Sequence, residues 1–243
     1  AFGGSSWQID KKTIVETNLL GTMNLLDACM EIGFEAFINT GTSSEYGFKN
    51  HAPPETEFLE PNSCYAIAKA GATHYCRNIG VSQKSHILTL RLYSAFGPFE
   101  QPKRLMPALI LNGLKGRFPP LVDPEVARDF IYIDDVVDAF IAAAKAKKIE
   151  PGGVFNIGTG IQTNMRKVAE IAQKLFRIST PPQWNAMPSR MWDTGVWVAN
   201  NQKALSMLPW KPIVSFQEGL EKMAKWFADQ PEIQELYESL AKE

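Results

Sequence analysis

The chain has 243 residues, 45% hydrophobic and 21% charged, with a formal net charge of −1. That balance suits an ordinary soluble globular chain of one large or two small domains, and it lacks the basic excess that would neutralise a nucleic-acid backbone or an anionic membrane. Three cysteines without CxxC spacing (Cys29, Cys64, Cys76), three histidines placed apart from them (His51, His74, His86), no bilayer-length apolar run and no export signal predict a reducing cytoplasm, no metal centre and no membrane.

Ala1 to Ile9 is small and turn-prone. From Thr13 to Ile32, Leu19, Met23, Leu26 and Met30 recur at helical spacing and Gly33 follows as a C-cap, which predicts a helix. Ala36-Phe37-Ile38 predicts a buried strand whose carboxyl end opens into Asn39-Thr40-Gly41-Thr42-Ser43-Ser44. In an open parallel sheet that edge is where ligands sit. The polar, proline-broken stretch 49–62 leads into a helix over Ser63–Ile79 and a strand over Ile87–Leu92, a βαβ rhythm. After a break at Gly97-Pro98, a helix is expected over Leu105–Leu114. A mixed lobe follows: a strand near Phe130–Ile133, a helix over Asp134–Lys147, a strand over Val154–Ile157 and a helix after Thr163. Ser215-Phe-Gln-Glu218 is a capping box for a helix to about Phe227, and a last helix starts at Pro231.

Chemistry concentrates in Tyr65-Ala-Ile-Ala-Lys69. A spacing of four puts phenol and ammonium on one helix face, one turn apart. A free phenol, with a pKa of about 10, is a poor base at neutral pH, and a neighbouring positive charge favours its phenolate. Tyr65 then has the means to take a proton from a sugar hydroxyl or return it to a ketone, while Thr42 at the strand end orients the same oxygen. YxxxK alone is common on helices; the reading rests on its context. Cys64 has no histidine placed to activate it and is expected to be a buried, unreactive thiol. Of Trp184, Trp192, Trp197 and Trp210, core packing is expected, with Trp192 the candidate for lining a pocket.

Six segments in order resemble the extended short-chain dehydrogenases/reductases, within them the NAD-dependent sugar-nucleotide epimerase/dehydratase group. Asn18-Leu-Leu-Gly21-Thr22 is similar to the NxxGT helix, and Thr40-Gly-Thr42-Ser-Ser-Glu-Tyr46-Gly47 to the SSxxxYG strand end. Pro61 to Lys69 resembles PxxxYxxxK, and Leu90 to Pro98 resembles LRxxNxxGP. Ala127 to Val136 resembles RDFxYVDDV, and Val154 to Gly160 the VYNxGxG strand. The resemblance implies an α/β fold: a Rossmann-like parallel sheet, its N-terminal strands missing, with a smaller mixed α/β substrate-binding lobe. Residues 1–97 are then the C-terminal part of the dinucleotide-binding domain, and 98–243 mainly the substrate lobe, with segments returning to the first.

The resemblance further implies Thr42, Tyr65 and Lys69 as the catalytic set. Lys69, Tyr65, Asn18, Thr40 and Tyr93 are implied as contacts to NAD or NADP. Thr42, Ser43, Ser44, Ser94, Arg128 and Arg190 are implied as contacts to a nucleotide-diphosphate sugar, the guanidinium groups matching pyrophosphate oxygens. A homodimer is also implied. Two departures narrow the chemistry. Ser94 stands where the family usually has Asn. Ser43-Ser44 stands where 4,6-dehydratases carry Asp-Glu, and serine hydroxyls are poor acids and bases at neutral pH, which disfavours dehydratase against 4-epimerase or 4-ketosugar reductase. A non-catalytic sugar-nucleotide-binding relative is the reading from another class. Gly3-Gly4 does not follow a strand and lacks a third glycine at the required spacing, so it is not the dinucleotide fingerprint. The chain is expected to begin after the first three or four strands of the family, leaving a sheet edge unpaired, and to be poorly stable and a weak NAD binder on its own.

Overall fold

The computed structural model describes residues 1–4, 8–187 and 193–242. Its elements in chain order are α1 (Lys11–Val15), α2 (Gly21–Ile32), β1 (Phe37–Thr42), α3 (Cys64–Gln83), β2 (Ile87–Leu92), β3 (Ser94–Phe96), α4 (Leu105–Gly113), β4 (Ala127–Arg128), β5 (Phe130–Tyr132), α5 (Ile133–Lys145), β6 (Val154–Ile157), β7 (Thr163–Asn164), α6 (Met165–Phe176), α7 (Gln202–Met207), α8 (Phe216–Ala228) and α9 (Pro231–Lys242). A π-helical turn, Glu16–Leu20, joins α1 to α2, and a 3-10 turn, Ser43–Tyr46, follows β1. The chain divides into two compact units: Ala1–Tyr93 with Val136–Gly160 and Val198–Pro212, and Ser94–Asp135 with Ile161–Trp197 and Ile213–Glu243.

The first unit is built on a parallel sheet in the order β1-β2-β6, with Phe37 opposite Ile87, Thr42 opposite Leu92, and Thr89 to Leu92 opposite Val154 to Ile157. Parallel pairing brings the carboxyl ends of all three strands to one edge. β2 lies in the middle and reads as a near-continuous apolar run because both its faces are covered, with Ile87, Leu88 and Leu90 fully buried. The other edge of β1 carries no strand among the described residues. Helices pack on this sheet through Leu26, Cys76 and Ile87, with Met30, Phe34, Phe37 and Ile79 around them.

Local signals explain most boundaries, including two that differ from expectation. The first helix begins at Lys11 rather than Thr13, because the Asp10 carboxylate accepts the N–H groups of Lys12 and Thr13. Gly33 ends α2 at φ +87°, as read. Ser63 caps α3 by accepting the Ala66 N–H at 3.2 Å, but α3 runs past Ile79 to Gln83. Gly80 does not stop it: a Cβ there would lie 2.7 Å from the Gly152 nitrogen, so this glycine serves a backbone approach.

The second unit pairs β3 with β5 in parallel and β4 with β7 antiparallel. Its core gathers Phe96, Met106, Leu109, Ile110, Phe130, Tyr132, Leu220 and Phe227 from strands and helices. The crossing into this unit falls between Tyr93 and Ser94, ahead of Gly97, because the Ser94 N–H donates to Asp129 O at 2.9 Å and β3 runs on beside β5. Ile133, expected to end a strand, starts α5. The Ser215/Glu218 capping box forms as read. The buried Asp135 carboxylate accepts the Ile213 and Val214 N–H groups and fixes the entry to that helix. No helix among the described residues is long and apolar enough to cross a membrane.

Candidate active site

Tyr65 stands on the first turn of α3 and Lys69 on the next. α3 packs against β1 and against the Ser43–Tyr46 turn, in the same unit as Thr42. Lys69 is buried, 5% exposed. Burial pushes its ammonium below the ordinary lysine range, and the Glu45 carboxylate opposes that shift by favouring the charged form. Tyr65 is half-buried. The segment 1–4 passes over its ring: a Cβ on Gly4 would lie 3.7 Å from Tyr65 Cζ and 4.0 Å from its hydroxyl oxygen.

Thr42 ends β1 and caps the next turn. Its Oγ1 accepts the Ser44 N–H at 3.2 Å and donates to Ser44 Oγ at 3.3 Å. The Glu45 carboxylate reaches back to accept the Thr42 N–H at 2.9 Å, completing a capping box. Glu45 also pairs with Arg91 Nε at 2.8 Å, both groups buried. Arg91 Nη1 donates to Tyr46 Oη at 2.9 Å, and Tyr46 Oη donates to Asn156 Oδ1 at 2.8 Å. Asn156 in turn donates its backbone N–H to Glu55 Oε1 and its side-chain amide to Pro53 O and Asn200 O. One polar network therefore ties the ends of β1, β2 and β6 to the loops that follow them. Within it Tyr46 is a spectator phenol: burial raises it to about 12, with Arg91 pulling the other way.

The remaining expected contacts fall as follows. Thr40 is exposed on β1, and Tyr93 is buried at the end of the first unit. Asn18 lies in the π-helical turn, where its amide holds the Phe2 backbone from both sides and donates to Ile14 O at 2.9 Å. It shapes segment 1–4 beside Tyr65. Ser94 and Arg128 belong to the second unit, and Arg190, with Trp192, lies outside the described residues. Arg128 Nη2 is 3.1 Å from Asp193 Oδ1, and its guanidinium lies 5.5 Å from the Trp197 ring centroid. Gln162 fixes that tryptophan by accepting its backbone N–H at 3.0 Å. Trp197 was read as core material; the structure puts it on the arginine, a planar partner for a planar cation. Cys64, expected to be buried, is half-buried, whereas burial raises the Cys76 thiol to about 12. The described residues hold no cluster of three metal-ligating side chains.

Glu45 and Arg91 were both passed over in the sequence, although they sit inside quoted motifs. A charged residue inside the strand run Ile-Leu-Thr-Leu-Arg-Leu was the available signal, since a strand buried on both faces tolerates a charge only with a partner.

Residues 1–158 match the model of the NAD dependent epimerase/dehydratase family. The chain is 30% identical over 238 residues to the trifunctional UDP-glucose 4,6-dehydratase/UDP-4-keto-6-deoxy-D-glucose 3,5-epimerase/UDP-4-keto-L-rhamnose-reductase of Arabidopsis thaliana, covering 94% of this chain and 34% of that protein. It is 28% identical to a dTDP-glucose 4,6-dehydratase of Streptomyces antibioticus, covering 89% of this chain and 64% of that protein. The chain thus spans about a third to two thirds of the length of these relatives. Among solved structures, the UDP-glucuronic acid 4-epimerase of Bacillus cereus, in complex with UDP-glucuronic acid and NAD, superposes with a TM-score of 0.83 at 30% identity, over 92% of this chain and 71% of that one.

Proposed function

The chain belongs to the NAD-dependent epimerase/dehydratase family, and from that premise we propose that it carries the proton-transfer half of a sugar-nucleotide 4-epimerase acting by transient oxidation at C4. The observation that carries this reading is Lys69, an ammonium kept in a buried position one turn from Tyr65, beside the turn capped by Thr42. A buried positive charge acts on a neighbouring phenol far more strongly than one in water, so Tyr65 is the proton acceptor for the C4 hydroxyl. Thr42 orients that oxygen. Arg128, stiffened by Asp193 and Trp197, binds the pyrophosphate of the nucleotide.

The donor set along the strand ends, an ammonium with the hydroxyls of Thr40, Thr42, Ser44 and Tyr65, suits the hydroxyl groups of a ribose and a hexose. NAD, when bound, supplies the acceptor and donor of hydride at C4. Elimination chemistry has less support. Ser43 and Ser44 offer no carboxyl, and the nearest one, Glu45, is fully buried and committed to Thr42 and Arg91. Exposed Leu25 on α2 and Ile67 on α3, 59% and 56% accessible, favour a homodimer formed through these helices.

The test is turnover of UDP-hexoses and UDP-hexuronic acids by the protein that carries this chain, with no reduced cofactor added, followed by NMR of the products. A C4 epimer is expected, and Tyr65→Phe is expected to lower kcat by about 10³-fold with KM within about threefold. Turnover that appears only with added NADPH and a 4-keto substrate would move the assignment to a ketosugar reductase. Full activity in Tyr65→Phe would end the catalytic reading.

A further inference from the structure

The polar network at the strand ends contains a component that the chemistry above does not require. Glu45 is 0% exposed and Arg91 3%. Burying an ion pair strips water from both charges, and a well-packed apolar pair of similar volume commonly serves a fold as well or better. Stability alone is therefore a weak account of this pair.

Two features join it to Thr42. The carboxylate divides its oxygens, Oε1 accepting the Thr42 N–H at 2.9 Å and Oε2 accepting Arg91 Nε–H at 2.8 Å. Held this way, Thr42 Oγ1 accepts the Ser44 N–H at 3.2 Å and donates its own proton to Ser44 Oγ at 3.3 Å, so both functions of the hydroxyl are fixed by the turn. The backbone is also cut away to admit the carboxylate. A Cβ on Gly41 would lie 2.9 Å from Glu45 Oε1, 2.8 Å from Thr89 Cγ2 and 3.1 Å from Arg91 Cγ, so any side chain there would push the pair aside. Beyond Arg91, Tyr46 and Asn156 anchor the clamp to β6.

The geometry points to Glu45, held by Arg91 and admitted by Gly41, as a positioning residue that fixes the Thr42 hydroxyl on its turn, from which substrate takes over the hydrogen bond now made to Ser44 Oγ and the hydroxyl orients the C4 oxygen. This rests on the reading of Thr42 as the substrate-orienting group. A group that orients one hydroxyl acts on the reacting geometry rather than on the grip on the nucleotide, so its loss falls on kcat.

The experiment uses the protein carrying this chain and replaces the ion pair by an apolar pair, Glu45→Val with Arg91→Met, alone and combined with Thr42→Ala. The expected result is a melting temperature within a few degrees of the parent, KM within about twofold, and kcat lower by about 10²-fold. Adding Thr42→Ala to that background should cost less than about threefold, against about 10²-fold in the parent. A stable apolar variant with parental kcat would overturn the proposal, as would a full-sized Thr42→Ala effect in its background. Amide exchange of the peptide spanning Thr42 to Tyr46, read by mass spectrometry in Glu45→Gln and in Gly41→Ala, tests the clamp without turnover. Exchange at least about tenfold faster than in the parent is expected in both, and unchanged protection refutes the clamp. Absence of any turnover in the parent, with the exchange effect present, would refute the epimerase reading and leave the clamp standing.

Discussion

Glu100 offers a prediction that depends on no substrate. It follows β3 in the second unit with its side chain 12% exposed. Oε1 accepts a hydrogen bond from Arg104 Nε at 2.9 Å, and Oε2 is buried with no partner among the described residues. Burial raises the carboxyl to about 7 from an ordinary 4.5, against the pull of Arg104. A group whose folded value lies above its unfolded one stabilises the fold fully below the unfolded value, and that contribution fades as pH rises through the folded one. A difference of about 2.5 pH units, at about 1.4 kcal/mol each, makes the contribution on the order of 3.5 kcal/mol, lost mainly between about pH 4.5 and pH 7. Glu100→Gln keeps the shape and cannot ionise, so this part of the pH dependence disappears. The assay is urea unfolding at pH 5, 6, 7 and 8, followed by tryptophan fluorescence; Trp226 packs against Phe99, next to Glu100, with ring centroids 5.1 Å apart. The parent should lose about 2–3 kcal/mol relative to Glu100→Gln between pH 5 and 8. Parallel curves for the two proteins would refute the reasoning, and a parent that gains on the variant as pH rises would reverse its sign.

Other substitutions test the scaffold and the site separately. Gly47 has φ +70°, and a Cβ there would lie 2.0 Å from Glu60 O; Gly47→Ala should therefore destabilise the first unit by about 2–4 kcal/mol in denaturant titrations. Arg128→Leu should raise KM for a UDP-sugar by about 10- to 100-fold with kcat changed far less, measured by steady-state kinetics. Ile67→Glu places a charge on the exposed face of α3 and should convert the proposed dimer to monomers in analytical ultracentrifugation, with little change in the far-ultraviolet circular dichroism; a parent that sediments as a monomer would refute the dimer.

What the sequence made legible was the part of the fold that local rules control. Helical spacing, the glycine after α2 and the Ser215 capping box each act within a few residues; the last two formed where the pattern placed them, and the spacing found the helices while missing the π-helical turn at Glu16–Leu20 and some ends. Short elements escaped. β3, β4 and β7 are two or three residues long, and their partners lie far along the chain, so no period had room to show. The end of α3 was read short at Ile79 for a related reason: Gly80 continues the helix and serves a close approach to Gly152, remote in sequence. At the candidate site, Tyr65 and Lys69 were visible because a helix fixes their relation, and Thr42 because it ends a strand. Trp197 on Arg128 was not, since nothing local distinguishes a tryptophan that packs a core from one that stacks on a cation.

The contrast between Ser43-Ser44 and Glu45 shows how one turn can hold a carboxylate and withhold it from chemistry. A carboxyl that pulls a proton from a sugar carbon must reach the substrate and exchange its own proton there. Glu45 does neither: both its oxygens are spent on donors of the protein, the Thr42 N–H and Arg91 Nε–H. Moved one residue back along the same 3-10 turn, a carboxyl would occupy the place of Ser44, a half-buried residue bonded to Thr42. On the function proposed above, the register of a single glutamate relative to the capping threonine is what would separate a site that moves a hydroxyl proton from one that expels a hydroxyl. Placing Asp-Glu at Ser43-Ser44 would restore an elimination acid only if the clamp on Thr42 survived it.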